Sequence, residues 1–226
     1  MRLRRGRPDL AVYDELFAVH TATANSALRV TFLGVSTLHV TDGVTSLLTD
    51  GFFSRPGLAR VVAWRIAPKA ERIDAALRNA RIDRLDAVLP VHTHYDHALD
   101  SGFIAERTGA VLVGGSSAAR LGRGAGLPPD RIHRAVPREP IHFGSFSVTP
   151  RDYWQHTVHT VGARRVVLTH WDDFFRPLDE PLQALPYAGD DLDVTLRLLR
   201  RFAERDGVEL LMPRVWVPEA PWSRLT

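Results

Sequence analysis

The chain has 226 residues, 45% hydrophobic and 24% charged, which suits one soluble globular domain with a substantial buried core. It has no cysteine, which excludes disulfides and thiolate metal sites and leaves His, Asp and Glu as the available ligands. The net charge is only +3 and the base is scattered arginine, with Lys69 the sole lysine, so no specific nucleic-acid partner is expected.

Residues 1–26 read as an N-terminal extension and residues 27–226 as one domain. The terminal Arg2, Arg4, Arg5 and Arg7 read as a solvated tail, and no apolar stretch follows of the kind a signal peptide needs. No apolar run approaches the length of a membrane span, and a cytoplasmic setting is expected. From Ala27 to Phe53 the pattern predicts strands joined by turns, with Asp42-Gly43 as a hairpin signal. "APKAERIDAALRNA" predicts a helix with Pro68 in its first turn and Ile73, Ala76, Leu77 and Ala80 on one face. "LDAVLPV" is a continuous apolar run, the mark of a strand buried on both faces. A short helix is expected from Ser101 to Thr108, closed by Gly109, then a buried strand at "AVLVG" and a further helix capped by Ser116 or Ser117. "RIHRAV" and "IHFGSFSVT" read as strands, "DYWQHTVHTVG" as a helix with Asp152 near its N-cap, and "RRVVLTH" as a buried strand ending in His170. After a long Pro-rich loop, "DDLDVTLRLLRRFAERDG" predicts an amphipathic helix stopped by Gly207, and "VELLMPRVWVP" a last strand. Alternating strands and helices define an α/β class.

Chemistry concentrates in "LPVHTHYDHALD", where His92, His94, Asp96 and His97 fall within six residues just after a buried strand. His92 and His94, two apart, can aim at one point, while Asp96 and His97 at the next helix start can serve a second. Imidazole and carboxylate donors suit zinc first, with manganese, iron or nickel as alternatives. A dinuclear pair would acidify a bridging water for attack on an ester, amide or phosphoryl centre.

"HTHYDH" resembles the HxHxDH signature of the metallo-β-lactamase superfamily of hydrolases. "LLTDGFF", with Asp50, resembles that superfamily's acidic turn, and "VVLTHWDD" resembles its last metal-ligand strand, with His170 as the match. The resemblance runs in order from about Leu28 to Pro218. Tyr95 and "TDGFFSRP" look most like the branch that holds ascorbate-6-phosphate lactonase-like enzymes and N-acylphosphatidylethanolamine phospholipase D. It implies a four-layer αββα sandwich and a metal-bound water attacking an ester, lactone or phosphodiester. By the same resemblance, His92 and His94 would hold a first metal. Asp96, His97 and His170 would hold a second, with Asp96 the catalytic candidate beside the bridging water.

The superfamily completes the first site with a further histidine and a bridging aspartate, both from strands lying between "FGSFSVTP" and the helix that follows. In this chain the two segments abut at Pro150-Arg151, which reads as an internal deletion that leaves the second sheet incomplete. His156 and His159, three apart on a predicted helix, are substitute candidates, weighed against a plain helix face. His133 and His142 read as structural, while Asp152, Asp172 and Asp173 are candidate carboxylates weighed against an N-cap for Asp152 and a loop turn for the other two. Phe52, Phe53, Trp171, Phe174 and Phe175 flank the ligands and are weighed as core packing or as an apolar pocket wall.

The ligand count predicts one well-bound metal, at Asp96, His97 and His170. Whether the chain is an enzyme stays open at this point. An active hydrolase and a metal-binding chain with an impaired site both fit, and a nuclease or nucleic-acid-binding member fits less well. Lost strands would expose an edge, so homo-oligomerisation is expected.

Overall fold

The computed structural model describes residues 5–18, 20–136, 139–148 and 163–223. The chain opens with a short 3-10 segment, Leu10–Phe17. Three antiparallel strands follow, β1 (Arg29–Phe32), β2 (Leu38–Thr41) and β3 (Ser46–Thr49), with Asp42 closing the β2–β3 turn by accepting from the Val44 and Thr45 amides. Helices α1 (Leu58–Ala63) and α2 (Ala70–Asn79) then lead to β4 (Ala87–Leu89). Next come α3 (Tyr95–Ala98), α4 (Ser101–Thr108), β5 (Val111–Gly114), α5 (Ser116–Gly124) and β6 (Ile132–Arg134). A hairpin, β7 (Ile141–Phe143) with β8 (Phe146–Val148), precedes β9 (Arg165–Val167), α6 (Leu192–Asp206), β10 (Glu209–Leu211) and β11 (Pro218–Glu219).

The main sheet has seven strands in the order β11-β1-β2-β3-β4-β5-β6, antiparallel up to β3 and parallel from β3 to β6. Neighbouring residues on the parallel strands pack into different cores. Leu48, Val88 and Leu112 meet α2 and α4 on one face, while Leu47, Ala87 and Val113 meet the β7–β8 hairpin on the other. That alternation is the period of a strand covered on both sides, as the apolar run at "LDAVLPV" implied. On the hairpin's side of the molecule, β1 contributes Phe32 to a third core with Trp171, Leu192, Leu196 and Met212. Tyr13 and Leu16, from the stretch read as an extension, are buried in that same core.

The layers are therefore helices, the seven-stranded sheet, a second strand layer, and α6, an α/β sandwich. Among the described residues the second layer is short: β9 pairs with β10 in parallel, and the hairpin stands apart from them. A cavity of about 330 Å³, lined by Val30, Phe32, Leu38, Val40, Val167 and Trp222, opens between β1–β2 and β9.

Capping follows the sequence in two places. Gly109 and Gly207 end α4 and α6 in the left-handed region that glycine adopts without steric cost. Asp191 caps α6 by accepting from the Val194 amide. Four expectations need correction. Pro68 precedes the Lys69 N-cap of α2 and is not in its first turn, and Arg7, read as part of a solvated tail, pairs with Asp173. Helix α5 starts from Gly115 with no side-chain cap, because the Ser116 hydroxyl accepts from Arg134 instead. "VELLMPRVWVP" is not one strand: it stops at Leu211, Pro213 has no N–H to continue the ladder, and β11 pairs with β1 in the other sheet. The predicted helix "DYWQHTVHTVG" and the Pro150-Arg151 junction lie outside the described residues.

Leu196 is fully buried on α6, so Leu196→Ala is expected to cost about 2–5 kcal/mol in denaturant unfolding. Burial pushes the Glu219 carboxyl up to about 7, against a weaker pull from the Arg214 amide and charge. The folded state then holds a proton that the unfolded state releases, so this residue's contribution falls as pH rises from about 4.5 to 7. Unfolding titrations across that range should show Glu219→Gln gaining stability relative to the parent as pH rises.

Candidate metal centre

Two strand ends from different sheets converge here. Strand β4 runs out at Leu89, and the chain passes through His92 and His94 into α3, which presents Asp96 and His97 in its first turn. Strand β9 runs out at Val167 and delivers His170 from the second layer. Asp96 Oδ2 lies 3.5 Å from His97 Nε2 and 3.4 Å from His170 Nε2. The donor atoms of Asp96, His97 and His170 all fall within 4.8 Å of one another. Among the described residues this is the one group of three or more such donors.

The parallel register of β3 and β4 puts Asp50 directly behind this trio. Thr49 lies opposite Leu89, so the residue after β3 meets the residues after β4. Asp50 is completely buried, accepts from the Val91 amide through Oδ1 at 2.7 Å, and meets His97 Nδ1 through Oδ2 at 2.8 Å. A carboxylate only accepts, so His97 Nδ1 carries a proton, and in the neutral ring Nε2 is left as the lone-pair donor facing Asp96. Ser101 closes the arrangement by donating to the Asp50 carbonyl.

With the ring neutral, His97 Nε2 and the Asp96 oxygen 3.5 Å away are both acceptors. A cation fits that gap. Zinc bonds of about 2.0–2.1 Å in tetrahedral geometry place neighbouring ligand atoms roughly 3.3 Å apart, close to both separations here. The donor set, two imidazoles and one carboxylate with an outer carboxylate holding one ring, therefore fits a divalent metal.

Charges inside the trio support one another. Burial raises the Asp96 carboxyl, but hydrogen bonds from His170 and its own backbone, with the nearby imidazoles, outweigh it and hold the group below its ordinary value. Burial lowers His170, and its bond to Asp96 more than reverses this, leaving it raised. His92 is lowered, first by burial and then by the neighbouring His97 and His94.

His92 and His94 pair with each other beside this trio and are not among its three converging donors. Both are exposed, with His92 Nε2 3.1 Å from His94 Nδ1, and the His92 ring lies against His97 at 3.9 Å between centroids. His156 and His159 lie outside the described residues. Asp172 and Asp173 are buried and engaged, Asp172 with Arg55 and the Val35 amide, Asp173 with Arg7 and the Phe175 amide. Phe53 and Trp171 sit in separate cores, and buried Phe52 packs edge-on to Tyr95. Phe174 stands edge-on to His170 at 5.4 Å and stacks on Phe175, both half-buried.

Sequence reasoning missed Asp100. Fully buried, it accepts from the Phe53 and Ser54 amides and the Ser54 hydroxyl, tying the acidic turn to the start of α4. Burial pushes its carboxyl up to about 6 although these three donors pull the other way.

A mixed sheet between helices and a second strand layer, with a His/Asp cluster at the strand ends, defines a metallohydrolase-like α/β sandwich. Residues 62–172 match the family model of the metallo-beta-lactamase superfamily. Solved structures with a similar fold include MEM-A1, a subclass B3 metallo-beta-lactamase from a soil metagenome library (18% identity, 58% of this chain and 52% of that one, TM-score 0.39). A beta-lactamase from Chitinophaga pinensis matches at 17% identity over 64% of this chain and 56% of its own, with TM-score 0.39. Igni18, a metallo hydrolase from the archaeon Ignicoccus hospitalis KIN4/I, matches at 19% over 51% and 42%, with TM-score 0.33. The chain thus spans about half the length of the solved structures it resembles. Among curated proteins, none matches it.

Asp50→Asn should weaken divalent-metal binding about 10–100-fold, read by calorimetric titration of the metal-free chain, because it loosens the outer support of one ligand.

Proposed function

We propose that this chain is a metal-dependent hydrolase with one well-bound metal at Asp96, His97 and His170. The observation that carries the reading is the convergence of those three donors from two sheets, with Asp50 fixing the His97 tautomer. Zinc is the first choice for this donor set, followed by manganese, iron and nickel. When bound, such a metal supplies Lewis acidity and a water acidified to near neutral pH. His97 and His170 would act as ligands. Asp96 would be the third ligand, through the Oδ2 that faces both rings, and would stand beside the attacking water. Substrates of the ester, lactone or phosphodiester class fit this chemistry, and the half-buried Phe174 and Phe175 offer an apolar edge beside His170. The setting we propose is cytoplasmic. The segment around residues 150–151 is shortened relative to the superfamily, and a homo-oligomer covers the short second layer. Residues 27–226 form the hydrolase domain.

A second reading has a specific observation behind it: exposed His92 and His94 gather no third His, Asp or Glu donor among the described residues. On that reading the chain binds metal but turns over poorly or not at all.

Reconstitution with zinc, metal analysis and a panel of esters, lactones and phosphodiesters separate the two. One tightly bound ion per chain is expected, with turnover lost together with metal in His97→Ala. Metal binding without turnover across the panel would favour the impaired site. Two tightly bound ions would overturn the single-metal assignment.

A further inference from the structure

We infer that Arg55 and Asp172 are positioning residues that hold His170 in the conformation from which it reaches Asp96, an inference resting on the metal reading above. His170 has a left-handed backbone, φ +62°, outside the preference of a non-glycine residue. Val35 at φ +54°, whose carbonyl meets the His170 amide, and Arg55 at +39°, whose side chain pairs with Asp172, lie in the same region. A β-branched residue such as Val35 is rare there, so surrounding contacts must determine the shape of this turn.

Those contacts form one chain. The His170 amide donates to the Val35 carbonyl at 2.6 Å. The Val35 amide donates to Asp172 Oδ1 at 2.8 Å. Asp172 Oδ2 pairs with Arg55, both side chains having no solvent exposure. The β1–β2 turn, the turn after β3 and the loop after β9 are thus locked at a single point. Gly34 shows how close the approach is: a Cβ there would lie 2.9 Å from Leu178 and 3.4 Å from both Arg55 Nη2 and Asp172 Oδ2.

A one-to-one buried ion pair is a poor way to gain stability. Arg55 Nε and Nη1 have no partner among the described residues, and well-packed apolar groups commonly replace such pairs at no loss. What the pair does provide is direction. It fixes the Asp172 carboxylate so that Oδ1 faces the Val35 amide, and Val35 in turn fixes the backbone of His170. Neither residue touches the reacting atoms, so their effect passes through His170.

Two double variants test this without leaving a buried charge unpaired. Arg55→Met/Asp172→Asn keeps an acceptor for the Val35 amide; Arg55→Met/Asp172→Leu removes it. Cobalt(II) serves as probe, read by affinity and by its d–d absorption at saturation, beside thermal unfolding of the metal-free chains. Expected is a loss of about 10–100-fold in affinity for the Leu variant, with an altered spectrum, and only a few-fold loss for the Asn variant. Val113→Ala, in the separate core under the β7–β8 hairpin, should lower Tm while leaving affinity and spectrum at parental values. Parental affinity and spectrum in the Leu variant would overturn the inference, as would losses that simply track Tm across all three variants. If the Leu variant does not fold, parental cobalt binding in the Asn variant overturns the role of Arg55. A parent chain that binds no cobalt, or binds equally as His97→Ala, overturns the metal reading and this inference with it.

Discussion

The hydrogen bond between Asp50 and His97 is the contact on which the site depends. It joins the end of β3 to the first turn after β4, two segments 47 residues apart, and it is completely shielded from water at Asp50. Shielding gives the bond its directing power, since a buried carboxylate must satisfy both oxygens locally. Asp50 does so with the Val91 amide on one side and His97 on the other. One residue therefore sets where the histidine-rich turn begins and which nitrogen of His97 faces Asp96. The parallel register makes this inevitable, because Leu47, Leu48 and Thr49 stand opposite Ala87, Val88 and Leu89. Strand packing on both faces holds that register, as a slip of one residue would exchange the two cores.

What the sequence revealed follows the same division between local and distant. The histidine cluster was legible because four donor side chains fall within six residues after an apolar strand. The helices ended by Gly109 and Gly207 were legible because their stop signals are local. Asp50 was legible as an acidic turn residue but not as the partner of His97, which requires the β3–β4 pairing. Arg55 and Asp172, 117 residues apart, were not legible as a pair: Arg55 carried no signal, and Asp172 stood only as a candidate carboxylate in a loop turn until the fold buried both. Ser116 was misread because a serine at a helix start has two uses, and here its hydroxyl serves Arg134.

The last of the three donors, His170, shows why sheet architecture and chemistry are linked in this chain. Asp96 and His97 follow β4 of the seven-stranded sheet, whereas His170 comes from a second layer in which, among the described residues, β9 pairs with β10. A two-stranded parallel pair is a weak ruler for placing a side chain to within the tolerance of a coordination site. The missing precision has to come from the contacts beyond the strand, and the turn at Gly34-Val35 supplies them from the first sheet. A metal held by ligands from both layers would also bind the folded chain and not the unfolded one, so its binding free energy would add directly to the attachment of the second layer. The three ligands that span the layers would then be structural cross-links as well as chemical ones. That dual role gives a physical reason for Asp96, His97 and His170 to stay convergent where the second strand layer is short.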